Sequence, residues 1–258
     1  MDDPVLLTGA GGRVGQAILR HIGADYDWRL LDREPLSNDK IPEGVDEASV
    51  HAVDITDEEA VEEAVSGVRA VIHLAGDPRP EAPWSSVLRN NIDGTHTVVR
   101  AAAEAGVEKF AFASSNHAVG NYETPDRTPD MYRPEDEFRL DGTELPRPSN
   151  LYGASKATGE VLTRYYHDEY GMSVVNVRIG NLTEGHPPID YERGQAMWLS
   201  YKDCAHLFEC CLTADYDFEI VYGISDNDRK YYSIDRARDV LGFSPVDNSA
   251  EFEDEDDE

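Results

Sequence analysis

Positive charge is what this sequence of 258 residues has least of. Its five lysines are Lys40, Lys109, Lys156, Lys202 and Lys230, and Lys plus Arg total 23 against 52 Asp plus Glu. A formal net charge of −29 repels polyphosphate and anionic lipid alike, so nucleic acid and membrane are excluded as partners. Long apolar runs are missing too: nothing approaches the ~18 apolar residues that span a bilayer. The first strand signal begins at Val5 and leaves no room for a basic region and an apolar leader, so a cytoplasmic protein is expected. Cysteine is scarce and odd in number (Cys204, Cys210 and Cys211), which is not a disulfide framework. Together with His206 these could be metal ligands. In "DCAHLFECCL", however, Cys204, Leu207, Phe208 and Cys211 share one helical face, so the expectation is buried packing and no metal.

Acid is spread along the chain, with one dense block, "EFEDEDDE", at the tail. A hydrophobic content of 40% with clear periodicity argues against disorder. Dispersed carboxylates with few lysines suit a folded protein in concentrated salt, where screening removes self-repulsion, and a salt-loving source is expected. Apolar strands alternate with helices: "PVLLTGAGGRVGQAILRHI", "DWRLLDRE", "SVHAVDITDEEAVEEAVSG" with Thr56 as its expected N-cap, "VRAVIHLAGD", "NIDGTHTVVRAAAEAG" and "VEKFAFASS". This order predicts an α/β fold with a parallel sheet, doubly wound through right-handed crossovers. Residues 121–150 carry five prolines and read as a long functional loop. A helix from about Asn150 to Tyr170 closed by Gly171, the strand "SVVNVRIG", the cysteine-bearing helix, the strand "FEIVYGI" and a last helix ending at "LGF" complete the chain.

"TGAGGRVG" places Gly9, Gly12 and Gly15 between a strand and a helix. Glycine there lets the backbone reverse, lets a pyrophosphate approach the helix N-terminus, and lets helix pack on strand. Asp32 ends the next strand, where a carboxylate accepts ribose hydroxyls and repels a 2′-phosphate. That favours NAD, although Arg33 beside it can tolerate the extra phosphate. A second motif, Tyr152-Gly153-Ala154-Ser155-Lys156, sets a phenol and an ammonium four apart on one helix face. The ammonium is expected to lower the phenol's pKa so that it can take a proton from an alcohol as hydride leaves. In "FASSNHAVGNYE" a Ser-His nucleophile pair would need a G-x-S-x-G elbow, which is absent, so Ser115 reads as a hydrogen-bond donor. His117, two residues on in an extended segment, is expected to point the same way.

Through "TGAGGRVG", Asp32, "HLAG", "NNIDGT", "FASSNHAVG" and "YGASK", the sequence resembles the extended short-chain dehydrogenase/reductase family over its whole length. The resemblance implies a Rossmann domain over residues 1–180 and a small substrate-binding region over 181–258. Ser115, Tyr152 and Lys156 become the catalytic residues. Gly9, Gly12, Arg13, Val14, Gly15, Asp32, Asp54 near the adenine, Leu74, Ala75, Gly76, and Asn91 behind the lysine become the NAD site. "SSNHAVG" is similar to uronate dehydrogenases, which implies sugar contacts from Ser115, Asn116, His117 and Asn181, and puts Arg193 at the sugar's anionic end. The loop Asp77-Pro78-Arg79 departs from that pattern and offers Arg79 as a phosphate contact beside Asp77. "AGDPRPEAPW" and "RGQAMWLSYKDCAHLFECC" in so acidic a chain resemble the haloarchaeal NAD-dependent glucose-6-phosphate dehydrogenases. The implied reaction is oxidation of C1 of glucose 6-phosphate to the lactone. A uronate dehydrogenase, an NAD-retaining sugar epimerase and a non-catalytic NAD-binding protein are the alternatives. A homo-oligomer is implied, a dimer through the helices at about 94–105 and 150–170, or a tetramer built on it.

Overall fold

Val5–Thr8, Ala70–His73 and most of Lys109–Ser115 and Ser173–Ile179 are buried, which is why these runs are apolar on both sides of the pleat. They form the centre of a parallel sheet in the computed structural model, which describes residues 4–41, 43–45, 49–123, 137–188 and 192–255. The chain runs β1 (Val5–Thr8), α1 (Arg13–Ile22), β2 (Trp28–Asp32), β3 (Val50–Ala52), α2 (Glu58–Val65) and β4 (Ala70–His73). A short α3 (Trp84–Ser86) passes through a π-helical stretch, Val87–Asp93, into α4 (Gly94–Glu104). Then come β5 (Lys109–Ser115), α5 (Leu151–Tyr170), β6 (Ser173–Ile179), β7 (Asn181–Leu182), α6 (Glu192–Ala196) and β8 (Trp198–Leu199). α7 (Tyr201–Thr213), β9 (Phe218–Gly223) and α8 (Asp235–Leu241) close the order.

The seven-stranded sheet has the order β3-β2-β1-β4-β5-β6-β9 with every pair parallel, so the expected doubly wound architecture is borne out. Strand order reverses between β1 and β4, and the crevice beyond their carboxyl ends is where such sheets bind ligands. One face is covered by α1, α7 and α8, with Ile18, Leu207, Phe208 and Ala237 in its core. The other is covered by α2, α4 and α5 through Val61, Val98, Val99 and Tyr166. A third cluster, Val119, Met197, Tyr222, Tyr231 and Tyr232 among it, sits at one end of the sheet. Residues beyond 180 thus supply the sheet's last strand as well as the β7–β8 pair beside the crevice.

Local signals explain the well-placed boundaries. The Asn150 side chain accepts from the Gly153 amide to cap α5, and Gly171 in the left-handed region (φ 72°) ends it. Cys204, Leu207, Phe208 and Cys211 bury fully on the inner face of α7. Thr56 is not the cap of α2. Its amide and hydroxyl are taken by Asp54, at 3.0 and 2.8 Å, and Asp57 caps instead by accepting from Ala60. The helix expected from "NIDGT" begins earlier, at Trp84, through the π-helical stretch. Of the long loop, 124–136 lies outside the described residues; the part after it bonds Leu140 to Tyr231 and Ser233 through the backbone.

Candidate active site

The turn between β1 and α1 is shaped for a close approach. Gly9 has φ 72°, and a Cβ there would lie 2.8 Å from the Ala75 nitrogen, so this turn and the one after β4 touch backbone to backbone. Gly12, the N-cap of α1, offers no side-chain cap and the first turn holds no acid. The first amides and the positive end of the helix dipole therefore remain available to an anion. Asp32 Oδ2 accepts from the Gly11 amide at 2.8 Å and Oδ1 from the Arg33 amide at 2.7 Å, which fixes the carboxylate at the tip of β2. Gly11 was absent from the expected set although the doubled glycine of "GAGG" signals it: a Cβ there would meet Leu36 at 2.7 Å and Asp32 at 3.1 Å. These features fit a dinucleotide whose pyrophosphate lies over α1 and whose ribose meets Asp32.

A cleft of about 980 Å³ runs from this turn along the carboxyl ends of the strands. Of the expected residues, Gly9, Gly12, Arg13, Val14, Gly15, Asp32, Asp54, Leu74, Ala75 and Gly76 line it, and so do Asp77, Arg79, Ser115, Tyr152, Lys156 and Asn181. Arg13 donates to the Leu182 carbonyl at 3.1 Å, and so ties the start of α1 to β7. Asp54 pairs with Arg89 at 2.8 Å; the Thr56 amide above all holds its carboxyl below the usual range.

Four expected residues do not line the cleft: Asn91, Asn116, His117 and Arg193. Asn91 is buried in the π-helical stretch, where its Oδ1 accepts from the Asp77 amide at 2.6 Å and its Nδ2 donates to the Asp77 carbonyl and to Ser155 Oγ, both at 3.0 Å. It therefore clamps the loop after Gly76 to α5 and has no face left for a cofactor. Asn116 turns inward, its Nδ2 3.8 Å from Met197 Sδ. His117 does not follow from strand alternation, because Asn116–Ala118 is a 3₁₀ turn capped by Ser115 Oγ, which accepts from the His117 amide at 3.2 Å. The turn still brings its ring to 5.7 Å from that of Tyr152, edge to face.

Ser115 ends β5, and Tyr152 and Lys156 lie one turn apart on α5, all three in the same cleft. Lys156 is 6% exposed, and its Nζ stands over the rings of Phe112 (4.9 Å) and Tyr152 (5.8 Å). Burial pushes its pKa down to about 8. Burial also raises the Tyr152 phenol above its ordinary value; hydrogen bonding with Ser115 works against that and is the smaller effect. The expectation of a lowered phenol pKa is thus reversed in the free protein, because desolvation, with the Asp77 charge adding to it, outweighs the hydrogen bond to Ser115. A buried assembly missed in the sequence stands behind Ser115. Ser114 Oγ donates to Glu160 at 2.6 Å, and Glu160 is held in a two-pronged pair by Arg178, 1% exposed, at 2.9 Å on both prongs. This joins the end of β5 to α5 and β6.

Both arginines expected at the sugar's anionic end are already paired. Arg79 grips Asp77 through Nε (2.9 Å) and Nη2 (2.6 Å), and Ser86 Oγ donates to the same carboxylate, which the Arg79 contact above all holds far below the usual range. Arg193 grips Glu123 through Nε and Nη2.

The sequence model of the NAD dependent epimerase/dehydratase family matches residues 5–193. The chain is 78% identical over 252 residues to an NAD-dependent glucose-6-phosphate dehydrogenase of Haloferax volcanii, covering 98% of this chain and 96% of that protein. The crystal structure of glucuronic acid dehydrogenase from Chromohalobacter salexigens superposes with a TM-score of 0.84 at 32% identity, over 99% of this chain and 88% of that one. A variant of Agrobacterium tumefaciens uronate dehydrogenase complexed with NAD gives a TM-score of 0.81 at 30% identity, over 98% and 88%.

Proposed function

This chain belongs to the NAD-dependent epimerase/dehydratase family of extended short-chain dehydrogenases, and we propose from that premise that it oxidises C1 of glucose 6-phosphate to the lactone with NAD. The observation that carries the reading is the convergence of Ser115, Tyr152 and Lys156 on one cleft with the Asp32-bearing turn, in a chain so close to a dehydrogenase of that specificity. Bound NAD supplies the hydride acceptor. Tyr152 Oη, once its own proton has passed to solvent, takes the proton of the C1 hydroxyl, and Ser115 Oγ donates to the same oxygen and holds it in line. Lys156, charged below pH about 8, supplies the field that stabilises the phenolate as it forms. Residues 1–180 hold the dinucleotide, and the segment 181–258 closes the sugar end. The direct test is a panel of sugar phosphates, aldoses and uronates with NAD and NADP in molar salt, followed by the absorbance of the reduced nicotinamide. Activity on glucuronate with none on glucose 6-phosphate assigns the protein to the uronate dehydrogenases instead. Free NADH that never accumulates supports an epimerase or a non-catalytic binder.

Asp32 enforces NAD over NADP in this reading, because its fixed carboxylate repels a 2′-phosphate. Asp32→Ala weakens NAD, admits NADP and narrows the preference; a parent enzyme that already favours NADP contradicts the assignment. Arg193, which in the free protein stands outside the cleft and grips Glu123, is the arginine assigned to the substrate phosphate, where paired charge-assisted hydrogen bonds are strong. Arg193→Gln therefore raises KM for glucose 6-phosphate about tenfold or more and leaves unphosphorylated glucose nearly unmoved. A similar proportional loss for both sugars makes Arg193 a support of the fold.

The subunits pair through α4 and α5. α5 carries Val161, Tyr165 and Tyr170 at 64, 56 and 50% exposure, large side chains that a partner helix would cover. Sedimentation in molar salt is expected to show a dimer or a multiple of it; a fully active monomer contradicts this. The acidic surface suits the cytoplasm of a salt-loving cell.

A further inference from the structure

We propose, on the reading that Arg193 receives the anionic end of the sugar, that Glu123 is an internal competitor for that arginine and sets how strongly the site favours a charged substrate. Glu123 lies just past the turn that carries His117, and its carboxylate, 7% exposed, takes the Nε and Nη2 edge of the Arg193 guanidinium, the Nη2 bond being 3.1 Å. Tyr232, fully buried, donates its hydroxyl to the same Oε1 at 2.6 Å, so the carboxylate is held in place from behind. The side chain of Arg193 is 31% exposed, so the arginine remains within reach of a ligand although Glu123 does not.

Two effects of this pairing act in the same direction. A carboxylate tethered to the chain competes for the guanidinium at high effective concentration, so a substrate anion either displaces it or accepts the edge that remains. The anion that accepts the remaining edge then sits across one guanidinium from a buried like charge that salt screens poorly. The pair is neutral before substrate arrives, which makes a carboxylate tolerable at so buried a place as that of Glu123. Part of the attraction for the phosphate is given up in exchange. Bracing of Arg193 by Glu123 is the opposing possibility, and it predicts the opposite sign when the charge is removed.

The test is Glu123→Gln, with KM for glucose 6-phosphate and the competitive inhibition constant of inorganic phosphate as readouts, and KM for NAD as the control. Both phosphate constants are expected to fall about tenfold, the scale of one charge-assisted hydrogen bond, with NAD unchanged. Glu123→Asp keeps the buried charge but withdraws it by one methylene, and moves both constants the same way by a smaller factor, which serves where the glutamine variant does not fold. Constants that stay put or rise overturn the proposal. A failure of the underlying reading shows separately: Arg193→Gln then leaves the preference for glucose 6-phosphate over glucose intact, whatever Glu123 does.

Discussion

Tyr152→Phe is expected to lose about 10²–10⁴-fold in turnover while NAD still binds. The substitution removes the group that takes the proton and little else. The ring remains on α5, edge to face with His117, and the turn at Gly9–Gly12 and Asp32 are untouched. Removing a hydroxyl whose ionisation burial already opposes does not disturb a charge in the free protein, so stability stays near that of the parent. NAD binding followed by fluorescence and turnover followed by nicotinamide absorbance separate the two. Turnover within a fewfold of the parent removes Tyr152 from the mechanism.

Lys156→Met is expected to abolish turnover and at the same time to make the NAD-free protein more stable. Lys156 is buried, and burial lowers its pKa from 10.5 to about 8, a destabilisation of about 3 kcal/mol. The sign follows from proton counts. Between pH about 8 and 10.5 the unfolded chain binds more protons than the folded one, so stability climbs with pH there, and the destabilisation is fully present below about 8. Methionine fills the same space beside Phe112 without a charge. Thermal unfolding without NAD should therefore occur at a higher temperature for the variant at pH 7, and the difference should close as pH rises past 8 towards and beyond 10.5. A variant that melts no higher than its parent at pH 7 contradicts the account of Lys156 as an uncompensated buried cation. The penalty belongs to a group whose charge the reaction needs where packing does not want it.

What could be read from the sequence was what neighbours along the chain decide. The strand, glycine turn and helix at Val5–Ile22, Asp32 at the tip of β2, and α5 with Asn150 before it and Gly171 after it depend on local geometry, and they stand where expected. Pairings across the fold were out of reach. No spacing rule links Glu123 to Arg193, Ser114 to Glu160 or Asn91 to Asp77, because folding alone brings those segments together. His117 shows a subtler failure, since the period-two argument assumed that β5 continued past Ser115, where the Ser115 side chain instead closes a 3₁₀ turn. The Tyr152 phenol shows another: the ammonium four residues on was visible, and the depth of burial, which raises the phenol against the Ser115 hydrogen bond, was not.

Packing of the cysteines into α7 gives this protein a built-in reporter of its own opening. Cys204 and Cys211 have no exposure to solvent, and burial pushes both thiols far above their ordinary pKa, while Cys210 rises to about 11. Only a thiolate in contact with solvent reacts with an alkylating reagent, so labelling at Cys204 or Cys211 proceeds through states in which α7 has left α1 and the sheet. The rate at which these two side chains take up label, followed as salt is withdrawn, measures how often the helix packed between α1, α8 and β5 lets go.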